Sequence, residues 1–173
     1  MKTTTTLTLS AACLLVGFGL GFAAKDTPGA SVFLGKDPKE AGLAALAAAE
    51  QLDENGSWEM IGIGRVYYLS GNQAQGQALF DRVTAKKPEK SDWQRIGQVY
   101  AEAGETDKAE AAFQRAMDAK DDTGQSEIGA WYIRTGRREK GEELFAKALE
   151  RNPDDVWHYV RAAEAYLGVP PGR

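Results

Sequence analysis

The chain has one histidine, His158, and one cysteine, Cys13, and chemistry would be assigned to these first. An imidazole serves as general base or metal ligand; a thiol serves as nucleophile, ligand or half of a disulfide. One copy of each builds neither a disulfide nor a histidine/cysteine metal site within one chain. His158 has no serine or cysteine nucleophile near it in a recognisable pattern, and it reads as a surface or cap residue of the last helix. Carboxylates pair at Asp53-Glu54, Asp121-Asp122 and Asp154-Asp155. Such pairs can do acid–base work or hold calcium, yet all three fall at helix boundaries, where aspartate caps free N–H groups. The glycines follow a repeat phase and form no phosphate-binding loop. Neither an enzyme nor a cofactor is expected from these residues.

Charge narrows the partners. The formal net charge is -4 over 173 residues, against the basic face that a nucleic-acid footprint needs. The basic pairs Lys86-Lys87 and Arg137-Arg138 have acids beside them, Glu89, Glu139 and Glu142, and read as solvated helix-end charges. What remains is recognition by tryptophan, tyrosine and arginine, the types that most often anchor interfaces.

The elements that must position those side chains are repeated. One stretch reads Trp93-x-x-Ile96-Gly97-x-x-Tyr100, then Gly104, Ala109-x-x-x-Phe113 and Ala116. Upstream stand Met60, Ile63, Gly64, Tyr67, Gly71, Gly76, Phe80, Val83 and Pro88; downstream stand Gln125, Ile128, Gly129, Tyr132, Gly136, Gly141, Phe145, Ala148 and Pro153. Equivalent residues recur at roughly 34 residues, which marks an array of helical pairs. Glycine inside a helix costs about 1 kcal/mol relative to alanine. Its recurrence at Gly64, Gly97 and Gly129, and at Gly76 and Gly141, therefore predicts that paired helices approach closely there. The tyrosines, including Tyr166, and the phenylalanines are expected to pack between neighbours. Gly71, Gly104 and Gly136 are expected just past helix ends, where the left-handed conformation is needed.

These residues resemble the tetratricopeptide repeat over about residues 37–168. Met60 and Gln125 replace the usual tryptophan, and Asp121 stands where proline is common. The resemblance implies an all-α fold, a right-handed α-α superhelical solenoid. It has three full units (57–89, 90–121 and 122–155), an N-terminal capping helix within 37–56 and a C-terminal capping helix within 156–173. Asp37 and Pro38 suit the start of the first cap. That helix reads as the second helix of a unit whose first is missing, with Gly42 and Leu46 in the phase of Gly76 and Phe80. The last helix repeats only a first helix, as Tyr159-x-x-Ala162-Ala163-x-x-Tyr166.

In the family the first helices line a groove that holds an extended peptide or a partner helix. Carried onto this sequence, the groove phase falls on Trp58, Ile61, Arg65, Tyr68 and Leu69, then on Gln94, Gln98, Ala101 and Glu102. It continues through Ser126, Ala130, Ile133 and Arg134 to Trp157, Val160 and Glu164. The expected client is a hydrophobic peptide or amphipathic helix, with Arg65 and Arg134 meeting its acids. The bland alternative packs Trp58 and Ile61 on the first cap and Trp157 within the last. The family's carboxylate-clamp set is not found.

The N-terminus has an export pattern. Lys2 precedes an apolar run from Leu7 to Phe22, and small residues follow at Gly21-Phe22-Ala23. This is the order of a secretory signal peptide cleaved after Ala23 or Ala24, and 24–36 reads as a flexible spacer. An uncleaved membrane anchor is the rival reading. A lipidated Cys13 is disfavoured because the apolar segment lies mostly after it. The expected setting is the bacterial periplasm, with inner-membrane anchoring as the alternative. Two roles follow: a protein-binding adaptor, or a structural subunit of a membrane-anchored envelope assembly or secretion complex.

Overall fold

The computed structural model describes residues 28–52, 56–118 and 124–172. The export pattern, Cys13 and the acid pairs at 53–54 and 121–122 lie outside the described residues. After a short 3-10 turn at Ala30–Val32 come eight α-helices, and among the described residues there is no strand. They are α1 (Pro38–Leu52), α2 (Ser57–Leu69), α3 (Gln73–Ala85), α4 (Lys90–Glu102), α5 (Thr106–Asp118), α6 (Gln125–Arg134), α7 (Arg138–Arg151) and α8 (Val156–Leu167). None of these helices is long and apolar enough to cross a membrane.

The helices form the expected solenoid. α2 packs on α3, α4 on α5 and α6 on α7 as tight hairpins, with α1 against α2 and α8 against α6 and α7. α4 also packs directly on α2. The step from α4–α5 to α6 is made by larger side chains: Phe113 meets Trp131 with ring centroids 4.9 Å apart.

The glycines explain why the hairpins are tight. A Cβ added to Gly76 would stand 2.6 Å from the Gly64 carbonyl oxygen, and one added to Gly141 would stand 2.6 Å from that of Gly129. On the facing helix, a Cβ at Gly64 would meet the Phe80 ring at 2.7 Å, and one at Gly97 the Phe113 ring at 2.6 Å. The backbones thus cross where neither helix has room for a side chain on both sides. The middle hairpin differs, because Ala109 brings a methyl group there and is fully buried.

Each hairpin turn closes the same way. The Asn72, Glu105 and Arg137 amides donate to the Tyr67, Tyr100 and Tyr132 carbonyls at 2.8–2.9 Å. Gly71, Gly104 and Gly136 supply the positive φ between them (93°, 76° and 83°). This six-to-one bond past a left-handed glycine satisfies a helix-end carbonyl that would otherwise be orphaned. At the other helix ends Asp37 and Asp155 act as caps: the Asp37 carboxylate accepts from the Lys39 and Glu40 amides, and Asp155 from Trp157.

The aromatic ladder fills the space the glycines define. Tyr100 packs on Tyr68 and Phe80, with centroids 5.5 and 5.9 Å apart, and its hydroxyl donates to Gln77 on the preceding second helix at 2.9 Å. The next rungs repeat this link, Tyr132 to Glu110 and Tyr166 to Glu142. One expectation needs correction. Tyr166 is 48% exposed, while Tyr67, Tyr100 and Tyr132 are 4%, 8% and 0%, because among the described residues no second helix follows α8 to cover it.

Gly76→Ala and Gly141→Ala are each expected to cost about 1–3 kcal/mol, the usual penalty of overpacking. Gly62→Ala, on an exposed helical position where a Cβ meets nothing within 4 Å, should stabilise by up to about 1 kcal/mol. Thermal melts of the three variants give the comparison, and equal shifts would refute the close-approach reading. Tyr100→Ala should destabilise by about 3–5 kcal/mol, as truncation of a large core aromatic does; urea unfolding measures it.

Candidate functional site

Four of the residues carried onto the groove are largely solvent-facing along the first helices: Leu69, Gln98, Glu102 and Arg134. At the two ends of this row Trp58 and Trp157 are 59% and 60% exposed. Gln94, Ile133 and Val160 are half-buried, and the Gln94 side chain lies against Gly124. The remaining residues are placed otherwise, and each has a physical reason.

Tyr68 is buried. It turns into the step between α2–α3 and α4–α5, where its hydroxyl donates to Glu105 at 2.8 Å and accepts from Lys108 at 2.9 Å. Its burial pushes the phenol pKa up. Ile61, Ala130 and Ser126 are buried too. These four positions belong to the packing between helices, so a client could not reach them without opening the array.

Arg65 is also committed. Its Nε and Nη2 reach Glu102 Oε2 at 2.8 and 2.6 Å, tying α2 to α4 across the face. Two residues assigned to client binding therefore bind one another. A matching tie at the other end joins Glu127 of α6 to Arg161 of α8 at 3.1 Å. Arg134 is not in such a bond, and the charges that act on it are those of Glu164 and Arg161.

The tryptophans share a feature that sequence reading did not find. All four have an arginine guanidinium over the ring: Arg95 on Trp58, Arg115 on Trp93, Arg137 on Trp131 and Arg161 on Trp157. Each lies within the about 6 Å at which a cation is attracted to an aromatic face. Trp58 is therefore not packed within the first cap; one ring face is held by α4 and the rest meets solvent. Trp157 likewise stands outside the last helix's packing, in contact with Arg161.

A second missed feature is a serine beside the lone histidine. Ser126 Oγ and His158 Nδ1 share a hydrogen bond of 2.8 Å, and Asp155 Oδ2 lies 3.8 Å from Nε2. The three residue types are those of a hydrolytic triad, but the geometry is not. The carboxylate is too far for a hydrogen bond, and the buried serine cannot be reached by a substrate carbonyl. His158 instead pins α8 onto α6. Of the two readings, surface or cap residue, it is the cap that the ring fits: it lies in the closing helix and is mostly buried. No three of histidine, cysteine, aspartate and glutamate converge on a metal-sized site among the described residues.

On the outer side a cleft of about 260 Å³ opens between α3 and α5, floored by Trp93 and Tyr100 and rimmed by Asp81, Lys108 and Arg115. The Tyr100 hydroxyl, Gln77 and Asp81 form one hydrogen-bonded chain across it. A neighbouring cluster couples the second and third hairpins. Glu110 accepts from Tyr132, Arg137 and Lys140, and the bonds from Lys140 first and then Arg137 hold its carboxyl below the ordinary value of 4.5.

Two stretches of the chain, residues 93–123 and 127–155, match the family model of the tetratricopeptide repeat. They cover all but the first two or three residues of the α4–α5 and α6–α7 hairpins. No curated protein and no solved structure matches the chain.

A depressed carboxyl contributes stability above its unfolded pKa and loses it as pH falls through the folded value. Glu110→Gln should therefore lower the melting temperature at pH 7, and the gap to the parent chain should close below the ordinary carboxylate value of 4.5. Melting curves from pH 7 to 3 check this. A gap that stays constant would mean that Glu110 acts through packing rather than charge.

Proposed function

We propose that the chain is a non-enzymatic protein-binding adaptor of the cell envelope, which takes an extended peptide or an amphipathic helix along its first-helix face. Tetratricopeptide repeats generally mediate protein–protein interaction and are typically non-enzymatic scaffolds. The observation that carries the reading is the pair of exposed tryptophans, Trp58 and Trp157, at opposite ends of a face with ionic and polar groups between. Tryptophan and arginine are hot-spot types, and here each exposed indole already has one face ordered by a guanidinium. A client helix with apolar residues spaced to meet Leu69 and the two indoles, and acids near Arg134, fits this row. The export pattern at residues 2–24 supports placement in the periplasm. If the segment is retained, the same face would be displayed from an inner-membrane anchor. Nucleic acid is not the proposed partner, on charge.

Photo-crosslinking in the native cell tests the proposal. Probes belong at Leu69, Gln98 and Arg134, which are exposed, with a control at exposed Lys147 on α7. A discrete protein adduct from the first-helix probes alone is the expected outcome. Adducts confined to Lys147 would move the function to the outer helices and favour a fixed subunit of an assembly. Intact mass of the crosslinked chain also reads whether it begins near residue 24.

A further inference from the structure

The two ends of the array are the two halves of one hairpin. α1 has the phase of a second helix, and among the described residues no first helix pairs with it. α8 has the phase of a first helix, and no second helix follows it among the described residues.

The exposed surfaces fit these phases residue by residue. A Cβ added to Gly42 meets nothing within 4 Å, whereas at the equivalent Gly76 and Gly141 it would strike the facing backbone. α1 has no buried residue, and Leu43 is exposed beside Gly42. On α8, Tyr159, Ala163 and Tyr166 lie exposed at i, i+4 and i+7. Their equivalents on α2, Met60, Gly64 and Tyr67, are all buried. Leu167 stands where Tyr68 contacts Gly76 in the first hairpin, and it too is exposed.

We propose that a second copy of the chain completes this hairpin: α1 of one copy seats on α8 of another, head to tail. The interface continues one that the chain already forms three times, in α2–α3, α4–α5 and α6–α7. The small residues match. Gly42 would face Ala163, one glycine and one alanine, the combination that Gly97 and Ala109 use in the middle hairpin. Two ions near the seam are already paired, Lys36, just before α1, with Glu40 on it, and Arg138 with Glu142 on α7. Each copy offers a donor end and an acceptor end, so the contact is heterologous and propagates rather than closing on a two-fold axis. α2 of the added copy then continues the solenoid.

Sedimentation of the full chain, in a mild detergent that keeps residues 7–22 in solution, tests this. The parent chain should associate progressively with concentration. Ala163→Arg blocks one end and Gly42→Arg the other, so each variant alone should be monomeric. An equimolar mixture should give a dimer and nothing larger, because each variant retains one competent end. Both sites are exposed in the single chain, so unchanged melting curves confirm that the variants fold. Three results would overturn the proposal: a parent chain that is monomeric throughout, association that survives either substitution, or a mixture that stays monomeric. The first would leave α8 free for a helix of another protein, and the second would place self-association elsewhere.

Discussion

Everything in this molecule rides on the distance between two backbones. Where Gly64 crosses Gly76, and Gly129 crosses Gly141, carbonyl oxygens stand so close to the opposing helix that a methyl group would have to displace them. Glycine in a helix interior is costly, so close contact along the whole hairpin must offset the loss. That contact sets where each phenylalanine lies over the facing glycine. It also sets how far each tyrosine must reach to find its acceptor on the preceding hairpin. Once the spacing is fixed, the six-to-one bonds at the turns and the tyrosine rungs follow as geometry.

This constraint is also why the fold was legible in the sequence. A requirement imposed three times leaves three copies of its signature, and the glycine, tyrosine and phenylalanine phases needed no tertiary information. The face was less legible. Tyr67 and Tyr68 are adjacent aromatics about 100° apart on one helix, and both are buried, by different neighbours. Tyr68 is covered by α4 and α5, which belong to the next unit, so the periodicity of α2 alone assigns it to the surface. The ties between units did leave a trace. Arg65 and Glu102, and likewise Tyr68 and Glu105, are separated by 37 residues, and Trp58 and Arg95 have the same separation. That is one unit plus one helical turn, the offset at which successive first helices touch. The Ser126–His158 bond left no comparable mark, since it depends on how one particular helix seats on another.

The ties bear on how such a face could hold a client. Except at Arg134, its charges are not waiting for a partner; Arg65, Glu102, Glu127 and Arg161 already hold neighbouring helices together. A client that exchanged these ion pairs for its own would loosen the array it binds to. Exposed ion pairs contribute little net energy, about 0–1 kcal/mol, so the indoles are the stronger source of affinity and the charges of orientation. Electrostatic complementarity commonly divides its work in this way.

The alanine in the middle hairpin has a consequence for the shape of the whole. A solenoid's pitch is the sum of small rotations between successive units, and each rotation depends on how closely its helices nest. Ala109 keeps one methyl group where the flanking hairpins keep none, so the three units are not interchangeable bricks. An array rebuilt from identical copies of the middle unit would still fold as a repeat. It would follow a different curve.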